Sequence, residues 1–242
     1  MEFSTPKPIK QNFKDLRVVR QKNNNKIVYE SLRQKDMKTL YENINRKEYK
    51  KTLADLEITE TEFILKCEDL LFAKLSSRTI SKNASRQCSK DETEQLRTCN
   101  ITARKCGLVI NNLTAAEFRP TKDGSIVSKN EMKIKKIQKD CCLKSFDGKI
   151  SGKFDGFIAA KVAYGSGGHQ DNVFEEMDTI AEWWKNYKSE TEEILIVLID
   201  TDLITKITRI KEKYRNVKNI MVFNHIEFQQ YMISTYYTDE SM

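Results

Sequence analysis

The stretch of sequence that decides the fold lies at residues 139–161 and reads KDCCLKSFDGKISGKFDGFIAAK. It contains two segments in which apolar and polar residues alternate, Cys141–Phe146 and Lys153–Ala160. Between them lies the turn-rich piece DGKISG at residues 147–152. Alternation on both sides of such a piece is typical of two antiparallel strands, so the stretch predicts a β-hairpin.

The register of that hairpin determines which polar side chains meet. If Asp147 faces Gly152 across the turn, Asp140 lies opposite position 159. Lys161 follows two residues further along, and because side chains alternate, residues 159 and 161 point to one face. The register therefore predicts that an acid and a lysine converge at one sheet edge, where they can hold a divalent metal ion against a phosphate. Asp147, in the turn, is predicted to be remote from Lys161.

The remainder of the C-terminal third alternates between helical patterns and apolar runs. The run EILIVLID at residues 193–200 is nearly continuous, which indicates a strand buried on both faces, and NIMVF at residues 219–223 indicates a second one. Helices are predicted at residues 172–187, 202–214 and 226–232. This order predicts an α/β fold, in which a mixed central sheet is flanked by helices.

The N-terminal part is predicted to be mostly helical. A basic, polar arm at residues 1–30 precedes a charged helical segment at residues 36–56. A capping box formed by Thr59 and Glu62 begins a further helix. That helix has an apolar stripe predicted to lie in the core, which consists of Phe63, Ile64, Cys67, Leu70, Leu71 and Leu75.

Length and composition limit the kind of protein. The 242-residue chain has 39% hydrophobic and 32% charged residues, no apolar run of membrane-spanning length and no secretory leader, so we expect a cytoplasmic protein. We divide it into an N-terminal arm with a helical part at residues 1–125 and an α/β core at residues 126–242, packed as one compact domain. The net charge of +7 favours a polyanionic partner. The six cysteines include no CxxC pair, which argues against structural zinc.

Two polar segments carry side chains suited to nucleic acid. Residues 76–90 are rich in hydrogen-bond donors, and a capping box of Ser89 and Glu92 begins the next helix. A glycine-rich loop at residues 165–168 is followed by histidine and glutamine. Such side chains bind phosphates and base edges. The predicted DNA-binding residues are Arg78, Lys82, Ser85, Arg86, Gln87, Lys90, Arg97, Gly167, His169 and Gln170.

The hairpin between Asp140 and Lys161, with a glycine-, histidine- and glutamine-containing loop, a helix and buried strands after it, resembles the core of the PD-(D/E)XK nucleases. It is most similar to the type II restriction endonucleases, over roughly residues 130–230. The resemblance implies a Mg²⁺-dependent, sequence-specific enzyme of a restriction-modification system that cleaves double-stranded DNA as a homodimer. It also implies catalytic roles for Asp140, position 159 and Lys161, with Asp140 and the backbone carbonyl of Ala160 as metal ligands.

Position 159 departs from the family pattern, which has glutamate or aspartate where this chain has Ala159. Three interpretations are open. The chain is an engineered, catalytically impaired form that lacks the acid; or the acid has moved to the next helix, to Glu175 or Glu176; or the site is inactive and the protein only binds DNA. Glu175, fourteen residues after Lys161, is our candidate replacement acid, and Asp155 is a candidate outer metal ligand.

Two alternatives to a restriction enzyme follow from the same residues. One is a repair or junction-resolving nuclease with the same core, which discrete fragments from plasmid DNA would distinguish. The other is a non-catalytic DNA-binding protein, which the missing acid at position 159 favours. Restoring glutamate at that position and assaying cleavage with Mg²⁺ separates a binder from an impaired enzyme.

Overall fold

The chain divides into two compact units. The computed structural model describes residues 5–44, 46–86, 90–114, 117–164, 168–188 and 190–238. The helical unit comprises residues 12–89, and the sheet unit comprises residues 90–242 together with the chain up to Gln11. Residues 90–125, which the sequence pattern had grouped with the N-terminal part, therefore belong to the unit that contains the sheet.

The helical unit has five helices over its described residues, and side-chain caps set several of their starts. They are α1 (Phe13–Gln34), α2 (Met37–Asn43), α3 (Arg46–Asp55), α4 (Glu60–Lys66) and α5 (Leu70–Arg86). Asn12 caps α1, and Thr59 forms the predicted capping box with Glu62. The largest buried side chains of this core are Leu32, Leu40, Tyr49, Phe63 and Ile80.

The apolar stripe predicted for the helix that begins at the Thr59 capping box is only partly buried. Phe63 and Cys67 lie in the core, whereas the three leucines that follow them are more than half exposed. The chain does not form one helix here, because α4 ends and the Asp69 side chain accepts a hydrogen bond from the Phe72 N–H, at 2.7 Å, as α5 begins. A new helix has a new phase, so the 3.6-residue pattern does not continue across the break.

The sheet unit contains the remaining elements. They are α6 (Lys90–Lys105), β1 (Leu108–Asn112), β2 (Phe118–Pro120), β3 (Ile126–Ser128), α7 (Lys129–Ile134), a 3₁₀ turn (Lys139–Cys141), β4 (Gly148–Gly152), β5 (Gly156–Ala163), α8 (Gly168–Tyr187), β6 (Ile194–Thr201), α9 (Ile204–Tyr214), β7 (Ile220–Phe223) and α10 (His225–Tyr236). Their order alternates between strands and helices from β4 onward, as the sequence predicted.

A five-stranded mixed sheet in the order β1-β4-β5-β6-β7 organises this unit. Strand β4 is antiparallel to both of its neighbours, β1 and β5, whereas β5, β6 and β7 are parallel. Strands β2 and β3 form a separate antiparallel pair. The predicted α/β fold with a mixed sheet flanked by helices is confirmed. The run EILIVLID forms β6, whose residues 195–200 are buried, as predicted.

The hairpin register differs from the prediction. Gly148 pairs with Ile158, and Ile150 pairs with Gly156, so β4 is the piece that the sequence pattern had placed in the turn. Residues 141–146 instead lie before the strand, in and after the 3₁₀ turn. The whole hairpin is therefore shifted toward the C-terminus relative to the predicted one.

Two glycines explain why the predicted register is wrong. A Cβ atom at Gly156 would lie 2.1 Å from the carbonyl oxygen of Ile194 in β6. A Cβ atom at Gly152 would lie 2.4 Å from the carbonyl oxygen of Gly107 at the start of β1. Glycine at these positions allows neighbouring backbones to approach closely, a role that the sequence alone does not distinguish from turn formation.

Side chains of β5 alternate between two hydrophobic cores. Phe157 and Ala159 lie in the core formed with α8 and α9, whereas Ile158 and Ala160 lie in the core formed with α6 and α10. The strand is therefore covered on both faces, and polar side chains are confined to its C-terminal end. Over the described residues, none of the helices combines the length and the apolar character needed to cross a membrane.

Candidate active site

Asp147 is the carboxylate that the sheet brings to the end of β5. Continuing the observed register by one residue places it opposite Ala159. Its N–H donates to the carbonyl of Ile158 at 2.9 Å, and the N–H of Ala160 donates to its Oδ2 at 2.8 Å. Burial raises the pKa of Asp147, although the hydrogen bond from Ala160 and the positive charge of Lys161 oppose this effect. The earlier prediction that Asp147 is remote from Lys161 is wrong.

Lys161 lies on β5 with only 13% of its side chain exposed. Its Nζ is 3.5 Å from Oε1 of Glu176, which α8 supplies from the neighbouring layer. Burial works against the charge of Lys161, but a hydrogen bond with Lys144 and the carboxylates of Asp147 and Glu176 outweigh burial and raise its pKa. Lys161 is therefore a shielded, stably protonated cation between two acids.

Lys144 is a second amine at the same place. It lies in the segment that leads into β4, and its Nζ is 2.6 Å from Oε1 of Glu176. Burial and the neighbouring Lys161 lower the pKa of Lys144, although its bond to Glu176 opposes them. Of the two lysines that share Glu176, Lys144 is thus the one that loses its proton more readily.

Helix α6 supplies a third acid, Glu92. Its Oε1 accepts a hydrogen bond from the backbone N–H of Val162, at 3.4 Å. Glu92 adds to the raised pKa of both Asp147 and Lys161. The site therefore combines Glu92, Asp147 and Glu176 with two lysines, and four different elements or segments position them.

A buried polar network lies behind the site and joins α6 to the sheet. The amide of Gln95 donates to Oδ2 of Asp200 at 2.6 Å and lies 3.4 Å from the carbonyl oxygen of Lys161. Nδ1 of His225 lies 2.6 Å from Oδ1 of Asp200. Gln95, one turn after Glu92, thereby ties the helix that carries this acid to the strand that carries Lys161. Sequence analysis did not identify this network; its one visible signal is the acid that ends the apolar run of β6.

The sequence-predicted catalytic residues are only partly brought together. Lys161 lies in the cluster, and Ala159 is fully buried in the core beside it. Asp140 is exposed in the 3₁₀ turn, so the register argument that selected it no longer applies. Glu175 is exposed on α8, whereas its neighbour Glu176 is the acid that meets Lys161.

The predicted DNA-binding residues are divided between the two units. Arg78 is an exposed residue of α5, and Lys90 and Arg97 are exposed residues of α6, where Arg97 pairs with Glu94. The side chains of Lys82, Ser85, Arg86, His169 and Gln170 lie outside the described residues, as do Gln87 and Gly167 entirely. Their assignment as DNA contacts remains a prediction.

The donor chemistry of the cluster fits Mg²⁺. Over the part of the chain that the structure describes, no three histidine, cysteine or acidic residues are grouped as a complete metal cage. Mg²⁺ usually needs less, because one or two carboxylates hold it and water and substrate phosphates complete its coordination. Asp147 and Glu176, whose negative charges both raise the pKa of Lys161, provide carboxylates of that kind.

Comparison with known proteins gives no relative. No family model matches the chain, and no significant match occurs among curated proteins or solved structures.

Proposed function

We propose that the chain is a Mg²⁺-dependent endonuclease of type II restriction character, built on a restriction-endonuclease-like core and cleaving double-stranded DNA at a specific sequence. The observation that carries the proposal is the convergence of Asp147, Lys161 and Glu176 at the C-terminal end of β5. A hairpin acid, a strand lysine and a further carboxylate are the groups that in-line cleavage of a phosphodiester requires.

Each residue has a role that its environment supports. Asp147 and Glu176 would hold Mg²⁺, together with the backbone carbonyl of Ala160, and the bound ion would neutralise the phosphate and activate water. Lys161, whose ammonium group is shielded and stably charged, binds the phosphate and stabilises the charge that develops on it. Lys144, whose pKa is lowered, is the amine able to hold or release a proton at Nζ.

Of the three interpretations of Ala159, the geometry best supports a moved acid. Glu176 lies 3.5 Å from Lys161, where the side chain of a glutamate at position 159 would also have to reach. Ala159 itself is fully buried and shares the α8 core with Met177. In this proposal the chain cleaves DNA as it stands, and Glu176 replaces the acid that the family has in the strand.

The first experiment is a cleavage assay on a mixed-sequence plasmid with Mg²⁺. The unmodified chain is expected to give discrete fragments. Glu176→Gln should lower the rate by about 100-fold or more, because it removes a charged ligand. The matched control is Glu175→Gln, which alters the neighbouring, exposed acid and should leave the rate unchanged. Equal losses in both variants would contradict the assignment of Glu176.

A second experiment moves the acid back. Ala159→Glu introduced into a Glu176→Ala background is expected to restore cleavage, because one carboxylate then again faces Lys161. If the unmodified chain is inert and Ala159→Glu alone is active, the protein is an impaired form of a nuclease. If every variant is inert and DNA is still bound, the protein is a non-catalytic DNA-binding protein and the proposal is wrong.

A further inference from the structure

A basic pocket lies beside α7, and its lining residues precede Lys144 of the carboxylate cluster in sequence. Its cavity has a volume of about 630 Å³. Five cationic side chains line it: Arg119, Lys129, Lys133, Lys136 and Lys139. None of the described residues that line it is acidic. We call this feature the basic pocket.

The charge of the basic pocket is not compensated locally. Among the described residues, its four lysines form no ion pair, although Lys135 on the same segment pairs with Glu131 at 3.5 Å. Five like charges around one cavity repel one another and raise the local potential. An anion that enters the pocket would remove this repulsion, so the pocket favours a ligand with several negative charges.

Two features make the basic pocket a built site rather than a random group of lysines. Arg119 is half-buried, and its Nη1 donates to the backbone carbonyl of Leu143 at 3.1 Å, which fixes the guanidinium group. Lys136 has a left-handed backbone, with φ of 51°. Glycine or asparagine is usual at such a position after a helix, so Lys136 adopts this conformation at some energetic cost.

The chain links the basic pocket directly to the candidate active site. Leu143, which Arg119 holds, precedes Lys144 of the carboxylate cluster. Lys144 follows Lys139 by five positions, a span of at most about 17 Å for an extended chain. This corresponds to about five base-pair steps of B-DNA, whose axial rise is about 3.4 Å per step. One duplex can therefore contact both places.

We propose that the basic pocket binds backbone phosphates of the DNA substrate, no more than about five base pairs from the phosphate that is cut. This inference rests on the proposed function for its placement of the cut. Phosphate contacts of this kind set the register of a protein on the duplex and carry no sequence information. The pocket therefore supplies affinity and positioning, and base reading is left to other residues.

The test measures DNA affinity and cleavage separately. The triple variant Lys129→Gln, Lys133→Gln, Lys136→Gln is compared with a control triple, Lys105→Gln, Arg209→Gln, Lys218→Gln, which removes the same charge from exposed side chains outside the pocket. Binding of a 30-base-pair duplex is followed by fluorescence anisotropy without Mg²⁺ over a range of salt concentrations. The pocket triple should lose about tenfold or more in affinity, and its log–log salt slope should fall by one or more relative to the control.

A single substitution separates binding from folding. Lys136→Gly removes one charge and also relieves the left-handed backbone, so it should lower DNA affinity without lowering the thermal unfolding temperature. Ethylation of single DNA phosphates should weaken binding of the unmodified chain but not of the pocket triple at the phosphates that the basic pocket contacts. These phosphates should lie within about five base pairs of the cut. If the pocket triple and the control triple bind DNA with equal affinity, the proposal that the basic pocket binds DNA is wrong, even if the unmodified chain cleaves DNA.

The remaining outcomes are equally decisive. If the unmodified chain binds duplex DNA through the basic pocket but never cleaves it, the pocket stands and the nuclease proposal fails. If it binds polyglutamate as tightly as DNA and the pocket triple loses both, the pocket recognises acidic protein segments and the inference is wrong.

Discussion

A carboxylate at residue 147 is unfavourable in the place that it occupies. Burial raises its pKa, and the acid is retained only because the N–H of Ala160 and two lysines partly compensate its charge. Groups whose pKa values are shifted by burial and by specific partners are concentrated at functional sites. Because a buried carboxylate lowers the stability of the fold, folding alone does not explain why an acid occupies this position.

Asp147→Asn is predicted to separate stability from activity. The asparagine side-chain oxygen can still accept the hydrogen bond from Ala160, and the variant has no buried charge, so its thermal unfolding temperature at neutral pH should equal or exceed that of the unmodified chain. Cleavage of plasmid DNA should fall by about 100-fold or more. The control is Asp155→Asn. This exposed acid precedes β5 at the end opposite Lys161, so the outer metal-ligand role predicted for it is wrong, and the variant should keep full activity. Full activity in Asp147→Asn would remove this residue from the site.

The raised pKa of Asp147 also predicts a pH dependence. The folded protein holds this proton more tightly than the unfolded chain does, so the contribution to stability is present below the ordinary pKa of 3.8 and is lost as pH rises through the raised value. Unfolding of the unmodified chain and of Asp147→Asn, measured over a pH series, should therefore diverge in that window, with the unmodified chain losing stability relative to the variant. Its cleavage rate should fall on the acid side of the same window. A difference in stability that does not vary with pH would contradict this assignment.

The residues of the site were predictable to different degrees. Lys161 was selected by the predicted register and by the resemblance to the nuclease motif. Alternation of polar and apolar residues does not single it out, because β5 is covered on both faces. Asp147 was missed because the Asp-Gly pair and the second glycine suggested a turn, whereas these glycines serve close backbone contacts. Glu176 and Glu175 are adjacent, and only the helical phase of α8 against β5 decides which of them reaches Lys161.

At the scale of elements, the pairing of β5 with β6 leaves no room for a side chain at the first residue of β5. Gly156 begins β5 and pairs with Ile194, the first residue of β6. The site depends on this pairing, because the parallel register from Gly156 onward sets the position of Lys161 relative to the helix that follows it.

Gly156→Ala is predicted to destabilise the protein by about 2 kcal/mol or more, because its Cβ would lie 2.1 Å from the Ile194 carbonyl oxygen and backbone must move. Gly148→Ala in the same hairpin is the matched control. Its Cβ would meet the Leu96 side chain at 3.3 Å, which a small side-chain adjustment relieves, so its cost should be clearly smaller. Urea unfolding of both variants provides the comparison, and equal costs would argue against the observed β5–β6 pairing.

The elements themselves were more predictable than their junctions. Strands β6 and β7 and the helices α8, α9 and α10 follow from apolar runs and helical periodicity. The predicted burial of the second strand on both faces is wrong, because β7 is an edge strand in which Ile220 alone is buried. The break between α4 and α5 did not, because a single capping aspartate interrupts a stripe that otherwise looks continuous. Side-chain hydrogen bonds of this kind can end one helix and begin another without changing the spacing of apolar residues in the sequence.

At the scale of the whole molecule, the sheet unit joins the two ends of the chain. The amide of Gln229 in α10 exchanges hydrogen bonds with the backbone of Ile9, at 2.9 and 3.0 Å. The N–H of Gln11 donates to Nε2 of His225 at 3.1 Å. His225 also meets Asp200, which Gln95 connects to the backbone of Lys161. Residues 9–11 are thus part of the network behind the candidate site, although the sequence pattern had assigned residues 1–30, most of which form α1, to a basic arm.

Deletion of residues 1–11 is therefore predicted to destabilise the sheet unit by about 1–3 kcal/mol, because buried polar atoms of Gln229 and His225 lose their partners. Guanidinium unfolding of the shortened chain measures this loss. The control is Lys7→Ala, Lys10→Ala, which removes the charges of the segment but leaves the backbone groups that make the hydrogen bonds. This control should unfold at the same midpoint as the unmodified chain. If the shortened chain also unfolds at the midpoint of the unmodified chain, the N-terminal segment does not stabilise the buried network. The positive charges of its basic residues would then be its only remaining contribution.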